Sequence, residues 1–153
     1  MRTSLIHLAV GVTLIATSAQ HSGAQSRGLK TIHGFLATEK GRKPTSTFAA
    51  NVPTIYAFWK GESLSVGDTI GVVWIAEDVG EGEGAKETKI RSAEAKVYKP
   101  DEDGAFSLSR PPEKNWPVGK YRVQFYLNGL MAEVLKFTIM PGVTIEVPKG
   151  DKE

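Results

Sequence analysis

The 153-residue sequence contains no cysteine, so disulfides and thiolate metal sites are excluded. Histidine is scarce: only His7, His21 and His33 occur. A zinc site draws three or four ligands from His, Cys and carboxylates, so zinc chemistry has little to work with. No G-x-S-x-G run occurs, which removes support for a serine hydrolase of the nucleophile-elbow type. Charge of one sign is also lacking. The balance of 19 basic against 17 acidic residues gives +2, and no long basic tail is present, so nothing argues for nucleic acid. The nearest approach to a basic run is Lys40, Arg42 and Lys43 in one short loop. No apolar run reaches the roughly 20 residues that span a bilayer. What remains is 41% hydrophobic and 8% aromatic. That is enough for one folded domain and too much for a disordered chain.

The first residues read as an address. Arg2 gives a positive start, Leu5 to Ala16 is apolar apart from His7, Gly11 and Thr13, and small residues follow. This pattern predicts a secretory signal peptide over 1–24. Cleavage after Ala24 places Ser22 at the minus-three position, and cleavage after Ala19 places Thr17 there. The alternative, a membrane anchor, needs a longer run. Cutting after Ala24 leaves 153 − 24 = 129 residues, a chain able to bury a core without crosslinks. The expected location is periplasmic or secreted, with no membrane span in the mature chain. The remainder divides into an N-terminal segment with a first strand (25–44), a sandwich (45–140) and a C-terminal strand or tail (141–153).

After Ala24 the apolar residues recur with a period of two. Seven strands are predicted: Leu29 to Ala37, Thr54 to Lys60, Asp68 to Asp78, Lys89 to Tyr98, Ala105 to Ser109, Lys120 to Leu127 and Val134 to Met140. In the third, Ile70, Val72, Trp74 and Ala76 share one face, and Val73 and Ile75 the other. Two apolar faces mark a central strand. In the fourth, Ala93, Ala95 and Val97 share a face against Glu94 and Lys96. In the sixth, Tyr121, Val123, Phe125 and Leu127 point inward. Glycine-bearing turns separate the strands. Short strands at this spacing predict an all-β, seven-stranded antiparallel sandwich.

Asn128-Gly129 invites a two-residue hairpin. That register alone pairs Val123 with Val134 and turns Leu135, Phe137 and Ile139 to solvent, because a one-residue slip exchanges the faces. Either a three-residue loop, Asn128 to Leu130, or a bulge near Ala132-Glu133 is therefore required. Both place Leu135 and Phe137 beside Val123 and Tyr121.

A core Trp74 followed by Gly119-Lys120-Tyr121-Arg122-Val123 resembles immunoglobulin-like and fibronectin type III sandwiches, of the kind found in bacterial exported proteins. WPVGKYRVQFYLNG is similar to accessory sandwich domains of such proteins. The resemblance covers roughly 45 to 140. It implies an inward Tyr121 ring whose hydroxyl bonds back to the chain. It departs from antibody domains at Val123, where those carry a cysteine. It carries no catalytic residue across.

Other residues invite chemistry and are weighed against plainer roles. Asp101 and Asp103, before Gly104, space two carboxylates as calcium loops do. The twelfth place is Pro112 rather than Glu, so the match to an EF-hand fails and a simple turn is the plainer reading. Glu77, Asp78, Glu81, Glu83 and Glu87 form an acidic cluster around a glycine-rich loop. Trp59 alternates with Tyr56 and Phe58, so one of these faces is less buried. Trp116 sits in Arg110 to Pro117, a proline-stiffened loop. It is either a recognition element, with Arg110 beside it, or a plug closing the sandwich. No cofactor is implied and no catalytic residue assigned. The expected function is a non-catalytic binding or accessory module with a protein or glycan partner in the cell envelope. The alternatives are an inhibitor of an extracytoplasmic hydrolase and a carbohydrate-binding or carbohydrate-active protein.

Overall fold

The computed structural model describes residues 28–38, 43–79 and 87–142. The signal peptide and its two cleavage sites, residues 80–86 of the acidic loop and most of the C-terminal tail lie outside them. Eight strands are present: β1 Thr31–Ala37, β2 Thr47–Ala49, β3 Thr54–Glu62, β4 Thr69–Val79, β5 Thr88–Lys96, β6 Asp103–Ser109, β7 Gly119–Leu127 and β8 Leu130–Met140. They form two sheets, β1-β3-β6 and β2-β8-β7-β4-β5.

The expected count of seven is corrected by β2. Its three residues pair parallel with β8, Phe48 opposite Ile139. Three residues are too few for an alternating pattern to register, and the parallel partner lies some 90 positions away. The sheets are otherwise antiparallel.

The interior is built from the faces that alternation selects. Ile70, Val72 and Trp74 of β4 are at most 1% exposed, as are Val123 and Phe125 of β7. Phe137 of β8 is the hub of the aromatic packing. It stacks on Tyr121 at 5.2 Å and meets Trp74 and Phe48 edge to face at 6.3 and 5.7 Å. Such edge-to-face and offset contacts suit the ring quadrupoles. The Tyr121 hydroxyl donates to the Pro117 carbonyl at 2.6 Å, the backward bond that the resemblance implied. Burial pushes its pKa up to about 12.

The β7–β8 hairpin solves its register problem with the bulge. Asn128 and Gly129 both take positive φ, 51° and 80°, and Leu127 pairs with Leu130, as a tight two-residue turn requires. The register then shifts: Tyr126 faces Met131 while Phe125 faces Glu133. Ala132 is the extra residue. Beyond it Val123 meets Leu135 and Tyr121 meets Phe137. Glu133, now inward, accepts the Gly34 amide at 2.5 Å and ties the edge of β1 to the other sheet. Gly34 must lack a side chain, because a Cβ there would lie 2.6 Å from the Phe125 ring.

Candidate binding surface

The proline-rich loop is a clasp. The Arg110 guanidinium donates to the Asn51 carbonyl at 3.1 Å, and to those of Pro111, Pro112 and Lys114 at 3.1, 2.8 and 3.0 Å. Trp116 is turned inward and 9% exposed; its indole N–H donates to Val52 O at 2.8 Å and its amide to Ala50 O at 2.8 Å. Of the two readings weighed for Trp116, the geometry is that of the plug: the ring closes this end of the sandwich, and Arg110 spends its donors on backbone carbonyls. Trp59 is likewise in the core, 5% exposed. Its indole lies over Gly104, where a Cβ would come within 2.7 Å, an aromatic covering a strand glycine. Neither tryptophan offers a face to a ligand.

The carboxylates are also employed structurally. Asp101, at φ 54°, accepts the Ser63 amide at 3.2 Å, and Glu102 accepts the Tyr98 amide at 2.6 Å. Asp103 lies in β6 across from Lys60. Among the described residues no three His, Asp or Glu side chains gather as metal ligands. Arg122 joins Glu77 at 2.8 Å and also pairs with Glu87. Those bonds raise the Arg122 pKa, and the guanidinium lowers that of Glu87. His33 is exposed opposite Lys60.

Asp68, 8% exposed, fastens the opposite end. It accepts Lys30 Nζ at 2.9 Å, the Ser65 amide at 2.7 Å and Asn128 Nδ2 at 3.0 Å. The Lys30 hydrogen bond, then those from Ser65 and Asn128, hold its pKa near 2 against an ordinary 3.8. The folded value lies below the unfolded one, so the ionised carboxylate stabilises the fold above about pH 4. That contribution drains away as pH falls toward 2. Asp68→Asn should lower stability by about 2 kcal/mol at pH 7, with the deficit shrinking toward zero near pH 2. Urea titrations at both pH values check this; a deficit that does not change with pH contradicts it.

What the sequence did not point to is the outer face of the larger sheet. Cross-strand register lines up Met131, Tyr126, Gly71 and Glu94 in one row, and Val134, Gln124, Val73 and Ser92 in the next. Met131 and Val134 are 60% and 40% exposed. Over Gly71 lies an open hollow of 530 Å³, edged by Tyr126, Val73, Lys89, Ser92 and Glu94. Gly71 makes the floor low: a Cβ there would sit 3.4 Å from the Tyr126 Cβ and 3.8 Å from Glu94 Cγ. Tyr126 is steadied by a hydroxyl bond to Gln124 at 3.1 Å. An apolar band with a rim of Lys89, Glu94, Lys136 and Arg122 is the composition of a contact patch. The smaller sheet carries Phe35, Phe58 and Tyr56 on its outer face. They stack at 5.1 and 5.9 Å, a spacing that leaves them overlapped rather than laid out as one flat platform.

No protein-family model matches the chain, and no curated protein matches it in sequence. Similar solved structures include an immunoglobulin-like protein from Pseudomonas aeruginosa, 13% identical with a TM-score of 0.46, covering 74% of this chain and 93% of that one. The alkylpurine DNA glycosylase AlkC from Pseudomonas fluorescens, bound to DNA containing an abasic site analogue, is 15% identical with a TM-score of 0.43 over 72% of this chain. A β-glucosidase from Listeria innocua is 10% identical with a TM-score of 0.44 over 75%. The chain spans 30% of the glycosylase and 17% of the glucosidase.

Proposed function

We propose that this chain is an exported, non-catalytic binding or accessory module with an immunoglobulin-like sandwich, and that it meets a protein or glycan partner of the cell envelope through the outer face of its five-stranded sheet. The observation that carries the reading is the Gly71 hollow and its band of Tyr126, Val73, Val134 and Met131. Large apolar side chains on a face that contributes nothing to the core have a cost in solubility, and an interface accounts for it. The N-terminal export pattern and the absence of cysteine support the compartment; the Tyr121 to Pro117 bond and the two-layer core support the fold.

Gly71→Val tests it. Valine suits a strand, its Cβ meets only ordinary contacts, and its methyls fill the floor of the hollow. The variant should melt within a few degrees of wild type and lose at least ten-fold in retention of whatever envelope component the 25–153 chain captures. Lys114→Ala, on the clasped loop, should retain it fully. Equal retention by Gly71→Val and wild type would exclude this face. Loss on Lys114→Ala instead would favour the inhibitor reading, since Glu113 to Asn115 are exposed on the clasped loop.

A further inference from the structure

The two sheets are unequal, and one strand is left without an opposite number. β5 closes the larger sheet beside β4. Its Arg91, Ala93 and Ala95 stand in register with Trp74, Val72 and Ile70, on the side where the core lies. Those β4 residues are sealed, yet Arg91 and Ala93 are exposed and Ala95 is half-buried. That exposure leaves this side of β5 uncovered among the described residues. The three residues make a ledge one strand wide, and the chain crosses from it to β6, the edge of the smaller sheet, within residues 97–102.

β6 is open along that ledge. Glu102 O accepts the Gly61 amide and the Arg110 amide donates to Pro53 O, both at 3.1 Å. Bonding alternates along an antiparallel strand, so the even-numbered residues face β3. Asp103, Ala105, Ser107 and Ser109 then direct their N–H and C=O groups outward from the sheet edge. The two edges are treated differently. β5 carries Lys89, Arg91, Glu94 and Lys96 and a register break at Ile90, devices that discourage pairing. β6 runs Ala105-Phe106-Ser107-Leu108-Ser109 with no charge and no break in register. Phe106, on the inward face, is half-buried at the lip.

We propose that β6 accepts an added strand: an extended peptide segment of a partner, with apolar residues at alternate positions and one carboxylate among them. Its backbone pairs with Asp103 to Ser109 and its inward side chains rest on Phe106 and the β5 ledge. Two observations choose this occupant. The ledge is one strand wide, so a lone strand fits, whereas a second sandwich offering its edge would drive its other sheet into β5. Arg91 has no ion-pair partner among the described residues, and it stands on the same face as Ala93 and Ala95. A carboxylate two residues from apolar neighbours complements that row. Backbone pairing supplies the affinity in such strand addition, and alternate side chains supply the choice.

The test uses two fluorescein-labelled synthetic peptides, TVTETVTVT and its lysine counterpart TVTKTVTVT, titrated by anisotropy into the 25–153 chain. The glutamate peptide should bind at least ten-fold tighter than the lysine peptide, and Arg91→Glu should invert the order. Ser107→Pro deletes one open-edge amide at a position where an edge strand tolerates proline, and should weaken binding at least ten-fold. Arg91→Glu, fully on the surface, keeps the test decisive if that variant does not fold. Hydrogen exchange at Ala105 and Ser107 should slow on saturation. Absence of binding at millimolar peptide, indifference to residue 91, or protection confined to the Gly71 hollow would overturn the proposal. Protection of the same amides that grows with protein concentration alone would assign the edge to a second copy and overturn it too.

Discussion

Trp74→Ala is expected to lower the unfolding free energy by about 3–5 kcal/mol, as truncation of large core residues does. The indole is 1% exposed and rests edge-on against Phe137, which in turn stacks on Tyr121 and meets Phe48. Removing it leaves a void against the Phe137 ring, which Tyr121 and Phe48 hold from its other sides. Phe137 is paired in the β7–β8 ladder, which limits how far it can close in. A domain of this size has about 5–15 kcal/mol in total, so the loss is a large part of its stability. Chemical denaturation reads the change directly; a midpoint shift under 1 kcal/mol would mean that the core collapses around the gap.

A comparable loss, about 2–4 kcal/mol, is expected from the addition of a single methyl group at Gly119. This residue opens β7 at φ 150°, opposite Val79, just where β4 shifts register between Ala76 and Asp78. A Cβ would lie 2.1 Å from the Asp78 carbonyl oxygen and 2.8 Å from Val79 Cα. Both obstacles are backbone, so no rotamer relieves them, and the conformation itself is one that side chains resist. Gly67→Ala is the control. Its φ is also positive, 93°, but nothing lies within 4 Å of its would-be Cβ, so only the conformational part of the cost remains. Thermal melts of the two variants should differ by several degrees. Equal melting points would show that the Asp78 contact yields.

Much of the architecture could be read from alternation because a two-residue period reports directly on which side chains share a face. Trp74 and its neighbours, the inward row of β7 and the need for either a longer loop or a bulge before Leu135 all came from that one regularity. The same reading placed Ala93, Ala95 and Val97 on one face, and the register with Val72 and Ile70 turns that face toward the core. Only Val97 is sealed, because burial depends on whether the other sheet reaches that far, and no local pattern reports the width of a distant sheet. The two readings of Trp116, and the part played by Arg110, could not be told apart for a related reason. The anchoring partners of these residues across the fold are carbonyls of Asn51 and Val52, about sixty positions earlier, and a backbone oxygen leaves no mark in the sequence. The Gly71 hollow exists only through the cross-strand company of Tyr126 and Glu94. A lone glycine in a strand did not announce it.

The extra residue at Ala132 gives the β7–β8 hairpin one position of slack. Excising it joins Met131 directly to Glu133, with Met131 still outward and Glu133 still inward, so every later side chain keeps its side. A deletion scan from Asn128 to Phe137 should therefore find its most forgiving point at Ala132, and a removal past Leu135 should be ruinous. Shortening, ordinarily the harshest edit to a strand, would there turn an irregular ribbon into a regular one.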